Sequence, residues 1–260
     1  MTNRPIIGID FSGAARAGEK IWVAHAQFDS EKLVIHELQS AANLPDGAPE
    51  RDAALNALTT WLLSFEAPIC GFDFPFSLQS DELDRPNWRD WVLSLAQRFG
   101  NADDFRAAYA GAKRETDTNA RTPFAPLNLR LYRQTYYGIA HVLAPLLRAG
   151  ALALPFDSPQ PGAPWLLEIC PASLLKKHKL YFSYKGKSAA QRENRERILN
   201  ECQSKFALGV AAPLAQIAFE DGEGDALDAI LSALCVVRAL EKNDWAPRSE
   251  IESREGRVYF

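Results

Sequence analysis

Ile6-Ile7-Gly8-Ile9-Asp10-Phe11-Ser12-Gly13 is an apolar run that closes on a carboxylate, and Ala67-Pro68-Ile69-Cys70-Gly71-Phe72-Asp73-Phe74-Pro75-Phe76-Ser77 repeats the pattern further on. Both runs are short, continuously apolar and bounded by Gly or Pro, which reads as a buried strand delivering one acid into a loop. Downstream, Gly224-Asp225-Ala226-Leu227-Asp228 opens a strongly apolar helix with two more acids. Their i,i+3 spacing puts both on one helix face, in the first turn, where the helix dipole favours negative charge. Carboxylates at buried strand ends cost desolvation energy unless something positive lies between them, and a divalent metal is the usual resolution. The pattern points to metal-dependent phosphoryl chemistry.

Outward from these runs, Lys20–Phe28 and Leu33–Leu38 read as strands joined by a turn at Asp29-Ser30-Glu31-Lys32, making an antiparallel meander with the first. Pro49–Phe65 reads as a helix with Ala54, Leu55, Leu58, Leu62 and Phe65 on one face, so the strand ending at Asp73 follows a crossover and lies parallel to the first. Trp165-Leu166-Leu167-Glu168-Ile169-Cys170-Pro171 is the next buried strand. The expectation is an α/β chain forming a single domain over residues 1–260. Its mixed five-stranded sheet, three antiparallel strands plus two parallel ones, is flanked by helices. A mostly helical insert, approximately 78–164, separates the fourth and fifth strands and holds a Trp88–Trp91 helix and a long helix from about Leu129 to Arg148. Two further helices are expected, at Ser188–Phe206 and from Asp225 to about Glu241. The carboxyl ends of the first, fourth and fifth strands would share one edge, where open α/β sheets place their ligands, bringing Asp10, Asp73 and Glu168 together.

At 260 residues, 47% hydrophobic and 24% charged, the chain is of ordinary globular composition, and no apolar run reaches the length of a membrane span, so no membrane partner is expected. The amino terminus, Met1-Thr2-Asn3-Arg4-Pro5, leads directly into the first strand; a signal peptide is not expected and a cytoplasmic location is. Cys70, Cys170, Cys202 and Cys235 show no Cys-x-x-Cys spacing and read as free buried thiols, and the four histidines are scattered. A net charge of −4 argues against a protein that coats duplex nucleic acid. Between Lys176 and Arg197, however, eight Lys or Arg stand against two Glu. That segment is either a solvated helix or a phosphate-contacting arm.

Four motifs in order, Gly8-Ile9-Asp10-Phe11-Ser12-Gly13-Ala14, Asp73-Phe74-Pro75-Phe76-Ser77, Glu168-Ile169-Cys170-Pro171-Ala172 and Asp225-Ala226-Leu227-Asp228-Ala229, give a chain that resembles the Domain of Unknown Function 429 family, described as predicted nucleases of the ribonuclease H-like fold. The resemblance implies a ribonuclease H-like sheet and an acid set of Asp10, Asp73, Asp225 and Asp228. The paired helix acids especially resemble the Holliday-junction resolvase branch of that superfamily. The cofactor implied is Mg2+ or Mn2+, two ions about 4 Å apart clamping the attacking water and the leaving oxygen of a phosphodiester. Asp10 would bridge both, Asp73 would bind one, and Asp225 with Asp228 would hold the other. Glu168 is extra to the scheme, as a catalytic helper, a lysine partner or a structural acid. Ser12 with Gly13 would approach phosphate, and Lys185, Lys187, Arg192 and Arg195 would neutralise a nucleic acid or nucleotide substrate.

Other readings stay open at this level. Asp10 and Asp73 also suit strand-end caps, and Asp225 and Asp228 suit an ordinary helix start. Gly8-Ile9-Asp10-Phe11-Ser12-Gly13 is compatible with the phosphate loop of actin-like phosphotransferases, although the chain is short for that duplicated architecture and shows no second phosphate loop. A catalytically silent nucleic-acid-binding module is the third class. Ser12 and Ser77 have no histidine near in sequence, which argues against a serine hydrolase. Trp88, Trp91, Tyr109, Tyr132, Tyr136 and Tyr137 in the insert either stack exposed bases or pack the insert onto the core, and Arg114, Arg121, Arg130 and Arg133 add positive charge there.

Overall fold

The computed structural model describes residues 4–29, 31–85 and 87–260, so Met1, Thr2, Asn3 and Ser30 of the expected turn lie outside the described residues. Among the described residues the sheet has seven strands in the order β5-β6-β4-β1-β2-β3-β7: β1 Pro5–Asp10, β2 Trp22–Phe28, β3 Leu33–Ser40, β4 Ile69–Phe72, β5 Leu152–Leu154, β6 Trp165–Glu168 and β7 Leu208–Val210. β1, β2 and β3 form the expected antiparallel meander, and β4 and then β6 continue it parallel to β1. The expected count of five is corrected by β5 and β7, which extend the sheet at its two edges, each parallel to its neighbour. Each has three residues, too few for a period-two pattern to show in sequence.

The helices are α1 Arg51–Leu63, α2 Trp88–Arg98, α3 Ala102–Ala107, α4 Glu115–Ala120, α5 Tyr132–Gly138, α6 Ala144–Arg148, α7 Pro171–Lys177, α8 Ala189–Phe206, α9 Ala212–Glu220, α10 Asp225–Lys242 and α11 Glu250–Glu255. The long helix expected over Leu129–Arg148 appears as α5 and α6 joined by a π turn at Ile139–Leu143, just before Pro145, which has no N–H for the regular bond. No helix among the described residues is long and apolar enough to cross a membrane.

Both faces of β1 are covered, which is why its sequence shows no alternation with polar residues. Ile7 and Ile9 join a core with α1, α2 and the α5–α6 helix, whereas Ile6 joins a second core built on α10 and α8. The second face depends on Gly8. A Cβ there would lie 2.2 Å from the Ala229 carbonyl oxygen and 2.3 Å from the Ala233 nitrogen, so α10 rests backbone-to-backbone on β1. Ala229 and Ala233 keep the facing helix side equally small.

Gly8→Ala should push α10 off the sheet. Overpacking of this kind costs about 1–3 kcal/mol, and the backbone contact puts Gly8 at the upper end of that range. Chemical denaturation of the variant checks this; a loss under about 0.5 kcal/mol, the scale of an ordinary surface substitution, would refute the close approach.

Candidate active site

The register of the sheet brings the acids together. Ile9 pairs with Phe72 and Phe72 with Glu168, so β1, β4 and β6 end level, and the Asp73 amide donates to the Ile9 carbonyl at 3.0 Å. Asp10 closes β1, Asp73 follows β4, and Asp225 and Asp228 project from the first turn of α10. All four line one cleft of about 590 Å³, together with Glu168, Ser12, Lys20, Tyr184 and Lys185. Ser12 accepts the Ala14 amide at 3.3 Å.

Asp228 is the most tightly held of the four. Its Oδ1 accepts the Tyr184 hydroxyl at 2.7 Å, and its Oδ2 lies 2.7 Å from Lys185 Nζ, which is also 3.7 Å from Asp225 Oδ1. Burial lifts the Asp10 carboxyl far above its ordinary range; Lys185 pulls it back, while Asp225, Asp228 and Asp73 push it further up. Asp73 reaches the open cleft but is closely surrounded, and burial with the Asp228 charge raises it to about 8. Asp225 is raised to about 6, mainly by burial, against the pull of Lys185. Burial disfavours the Lys185 charge as well, but Asp228, Asp10 and Asp225 outweigh it and hold the ammonium protonated. The donors are hard oxygens, suited in kind to a divalent cation. Among the described residues no three His, Cys, Asp or Glu side chains form a ready metal-ligand group. Lys185 supplies the positive charge in contact with Asp225 and Asp228, and Lys20 adds a second near Asp225.

The segment that carries Tyr184 and Lys185 is clamped by α8. Asn194 donates to the Ser183 carbonyl at 2.9 Å, Gln191 to that of Lys185 at 2.7 Å, and Arg195 to those of Tyr184 and Gly186 at 2.6 and 2.9 Å. The segment lies over the start of α10, where Gly224, at φ +79°, has the Tyr184 ring 3.0 Å from its Cβ position. This geometry revises the basic segment. Lys185 faces the acids as expected. Arg195 is buried at 2% exposure and serves the backbone. Arg192 is paired with Glu220 at 2.9 Å and with Glu196 at 3.7 Å, and Lys187 shares a separate hollow with both arginines. Charge density is visible in sequence; side-chain direction is not.

Glu168 has a partner that its sequence neighbourhood does not reveal. Arg114 is 1% exposed and forks onto it, with Nη2 on Oε1 and Nη1 on Oε2 at 2.9 Å, and the Phe76 amide also donates to Oε2 at 2.9 Å. The same guanidinium binds Asp117 through Nη2 at 2.7 Å and Nε at 2.9 Å, and Nη1 reaches the Glu255 carbonyl at 3.2 Å. Both Glu168 oxygens are therefore occupied by the protein itself.

The insert aromatics singled out in the sequence all pack inward. Trp88, Trp91, Tyr132, Tyr136 and Tyr137 are buried, and Tyr109 packs against them. Tyr184, Gln134, Phe124 and Tyr181 line the cleft instead, and nothing in their local sequence marks them.

Comparison with known proteins adds a likeness only. No family model matches the chain, so the Domain of Unknown Function 429 resemblance has no counterpart there, and no curated protein matches it. A search of solved structures pairs it with the yeast mitochondrial Holliday junction resolvase Ydc2 at 11% sequence identity and a TM-score of 0.39, over 89% of this chain and 78% of that one.

Proposed function

We propose that the chain is a divalent-metal-dependent phosphodiester hydrolase acting on nucleic acid, built as a single ribonuclease H-like domain with its insert covering one edge of the sheet. One observation carries this reading: Asp10, Asp73, Asp225 and Asp228, from three separate elements, line a single cleft at the carboxyl ends of parallel strands. Burial and mutual repulsion raise three of these carboxyls, an electrostatic strain that a structural cap does not need and a bound cation relieves. The four aspartates are the residues to hold Mg2+ or Mn2+, which when bound polarises a phosphodiester and acidifies its water. The remaining residues position and balance. Tyr184 orients Asp228, Arg114 fixes Glu168 and with it the Phe76 backbone beyond Asp73, and Ser12 stands at the cleft wall to meet a phosphate oxygen. Lys185 is the cation of the chain in contact with Asp228, and a divalent ion drawn by the same carboxylates competes with it.

Metal that binds only the folded state raises its melting temperature. Mg2+ or Mn2+ should therefore stabilise the protein, and Asp10→Asn should abolish both that shift and the manganese-dependent cleavage of single-stranded or structured nucleic acid. A shift without cleavage of any DNA, RNA or nucleotide identifies a binding module instead. Neither shift nor cleavage, with Asp10→Asn melting like the parent, makes the acids structural caps.

Removing the competing ammonium should tighten divalent binding. Lys185→Ala is expected to lower the Mn2+ dissociation constant at least several-fold by calorimetry; weaker binding would mean that Lys185 supports the ion rather than opposes it.

Without metal the raised carboxyls set a pH dependence with a definite sign. Asp73 titrates at about 8 when folded, against about 4 in an unfolded chain. Between those values the folded state holds a proton that the unfolded state has lost, so this contribution to stability falls as pH rises. In EDTA, Asp73→Asn should be more stable than the parent at pH 8.5, with the gain shrinking towards pH 5. An equal gain at both pH values, by denaturant unfolding, would separate the effect from ionisation.

A further inference from the structure

The wall of the cleft beside the acids is aromatic and cationic. Tyr181 lies 51% exposed and is the one Phe, Tyr or Trp side chain among the described residues that is largely open, the others being buried or half-buried. Its ring stands edge-on to Tyr184, the residue bonded to Asp228, at 6.4 Å between centroids. Lys176 Nζ lies 5.3 Å from the Tyr181 ring and donates to the Arg121 carbonyl at 3.1 Å, tying the end of α7 to the loop that leads to Phe124. Phe124 lines the same cleft, with the Arg130 guanidinium 5.4 Å from its ring. An exposed aromatic face costs hydration free energy, and two rings with a cation at each form a surface that a flat, electron-rich ligand on an anionic backbone would complete. The cleft volume of about 590 Å³ lies within the roughly 300–1,000 Å³ of pockets that enclose a small organic group.

We infer that Tyr181 and Phe124 receive an unpaired nucleobase next to the acids, with Lys176 and Arg130 meeting the flanking phosphates, so that the substrate is a strand presenting a single-stranded or extruded nucleotide. This rests on the phosphodiesterase reading of the cleft. A base within a duplex has both faces stacked and cannot reach a ring standing beside the acids, whereas an unpaired base offers a face to any aromatic partner. The same chemistry is offered by a free nucleotide, which lacks the flanking phosphates that Lys176 and Arg130 would hold.

The test uses an oligonucleotide carrying 2-aminopurine, whose fluorescence is quenched on stacking, with calcium in place of manganese. The parent should quench and bind the single strand more tightly than the same sequence in a duplex. Tyr181→Ala should weaken binding by roughly 5- to 150-fold, the worth of one base–aromatic stack, and lose the quench. Tyr181→Phe should retain both, because the ring is kept. Binding of 2-aminopurine nucleoside monophosphate as tight as the strand assigns the ring to free nucleotides; strand-only binding assigns it to nucleic acid. Unchanged quench and affinity in Tyr181→Ala, with the parent still cleaving in manganese, overturns the base site and leaves the hydrolase reading standing. A Tyr181-dependent quench without cleavage by the parent does the reverse, and no binding by the parent overturns the base site outright.

Discussion

The contact between Gly8 and the backbone of α10 is the constraint on which the site depends. With hydrogen in place of Cβ, β1 lets the helix approach until Ala229 and Ala233 touch the strand itself. Because α10 begins only one turn before Ala229, that contact fixes where Asp225 and Asp228 emerge relative to Asp10 at the end of the same strand. A larger residue at position 8 would displace the helix by the width of a methyl group, and a cluster of carboxylates is sensitive to displacements of that size. Fold stability and site geometry are thus set by one steric fact rather than by separate devices.

Around that anchor the protein handles buried acids in two ways. Glu168 and Asp117 share Arg114, and all three are almost without solvent. The geometry is bidentate and the remaining acceptors are filled, the condition under which a buried ion pair can persist. This cluster joins the strand end, the start of α4 and the backbone near α11, so it acts as a rivet between the insert and the sheet. Asp10, Asp73, Asp225 and Asp228 face mainly a single lysine on a half-open side chain. Four carboxylates against one ammonium leave an excess of negative charge unless some remain protonated, which is the direction in which three of them are displaced. One acid set is closed and satisfied; the other is left with an excess of negative charge.

Much of this was legible in the sequence, for physical reasons that can be named. The apolar runs ending in Asp10 and Asp73 are buried on both faces, so their hydrophobicity is continuous and their ends are marked by the first polar residue. The i,i+3 acids of α10 follow from helical geometry alone. β5 and β7 were missed because three-residue edge strands carry no period. Arg114 was visible only as a positive charge in a polar stretch; its pairing with Glu168 spans 54 positions, and no local pattern encodes such a contact. The packing of the insert aromatics onto the core was legible as the usual use of such rings, and Trp88 and Trp91 are buried on one face of an amphipathic helix.

The basic segment shows most clearly why charge density is a poor guide to role. Beside its solvated face, α8 clamps the backbone of the segment before it. Asn194, Gln191 and Arg195 hand their donors to consecutive carbonyls of residues 183–186. An irregular loop cannot satisfy its own backbone, and these donors do so while holding it in one conformation. The guanidinium suits this use because Nη1 donates to the Tyr184 and Gly186 carbonyls while Nε holds the Phe219 carbonyl at 2.9 Å, a planar set of donors that an ammonium on a flexible stem matches less well. What the clamp holds in place is Tyr184 on Asp228 and Lys185 between Asp228 and Asp225. The charge on Arg195 thus acts at one remove from the cleft: it orders the backbone that presents a different cation to the acids.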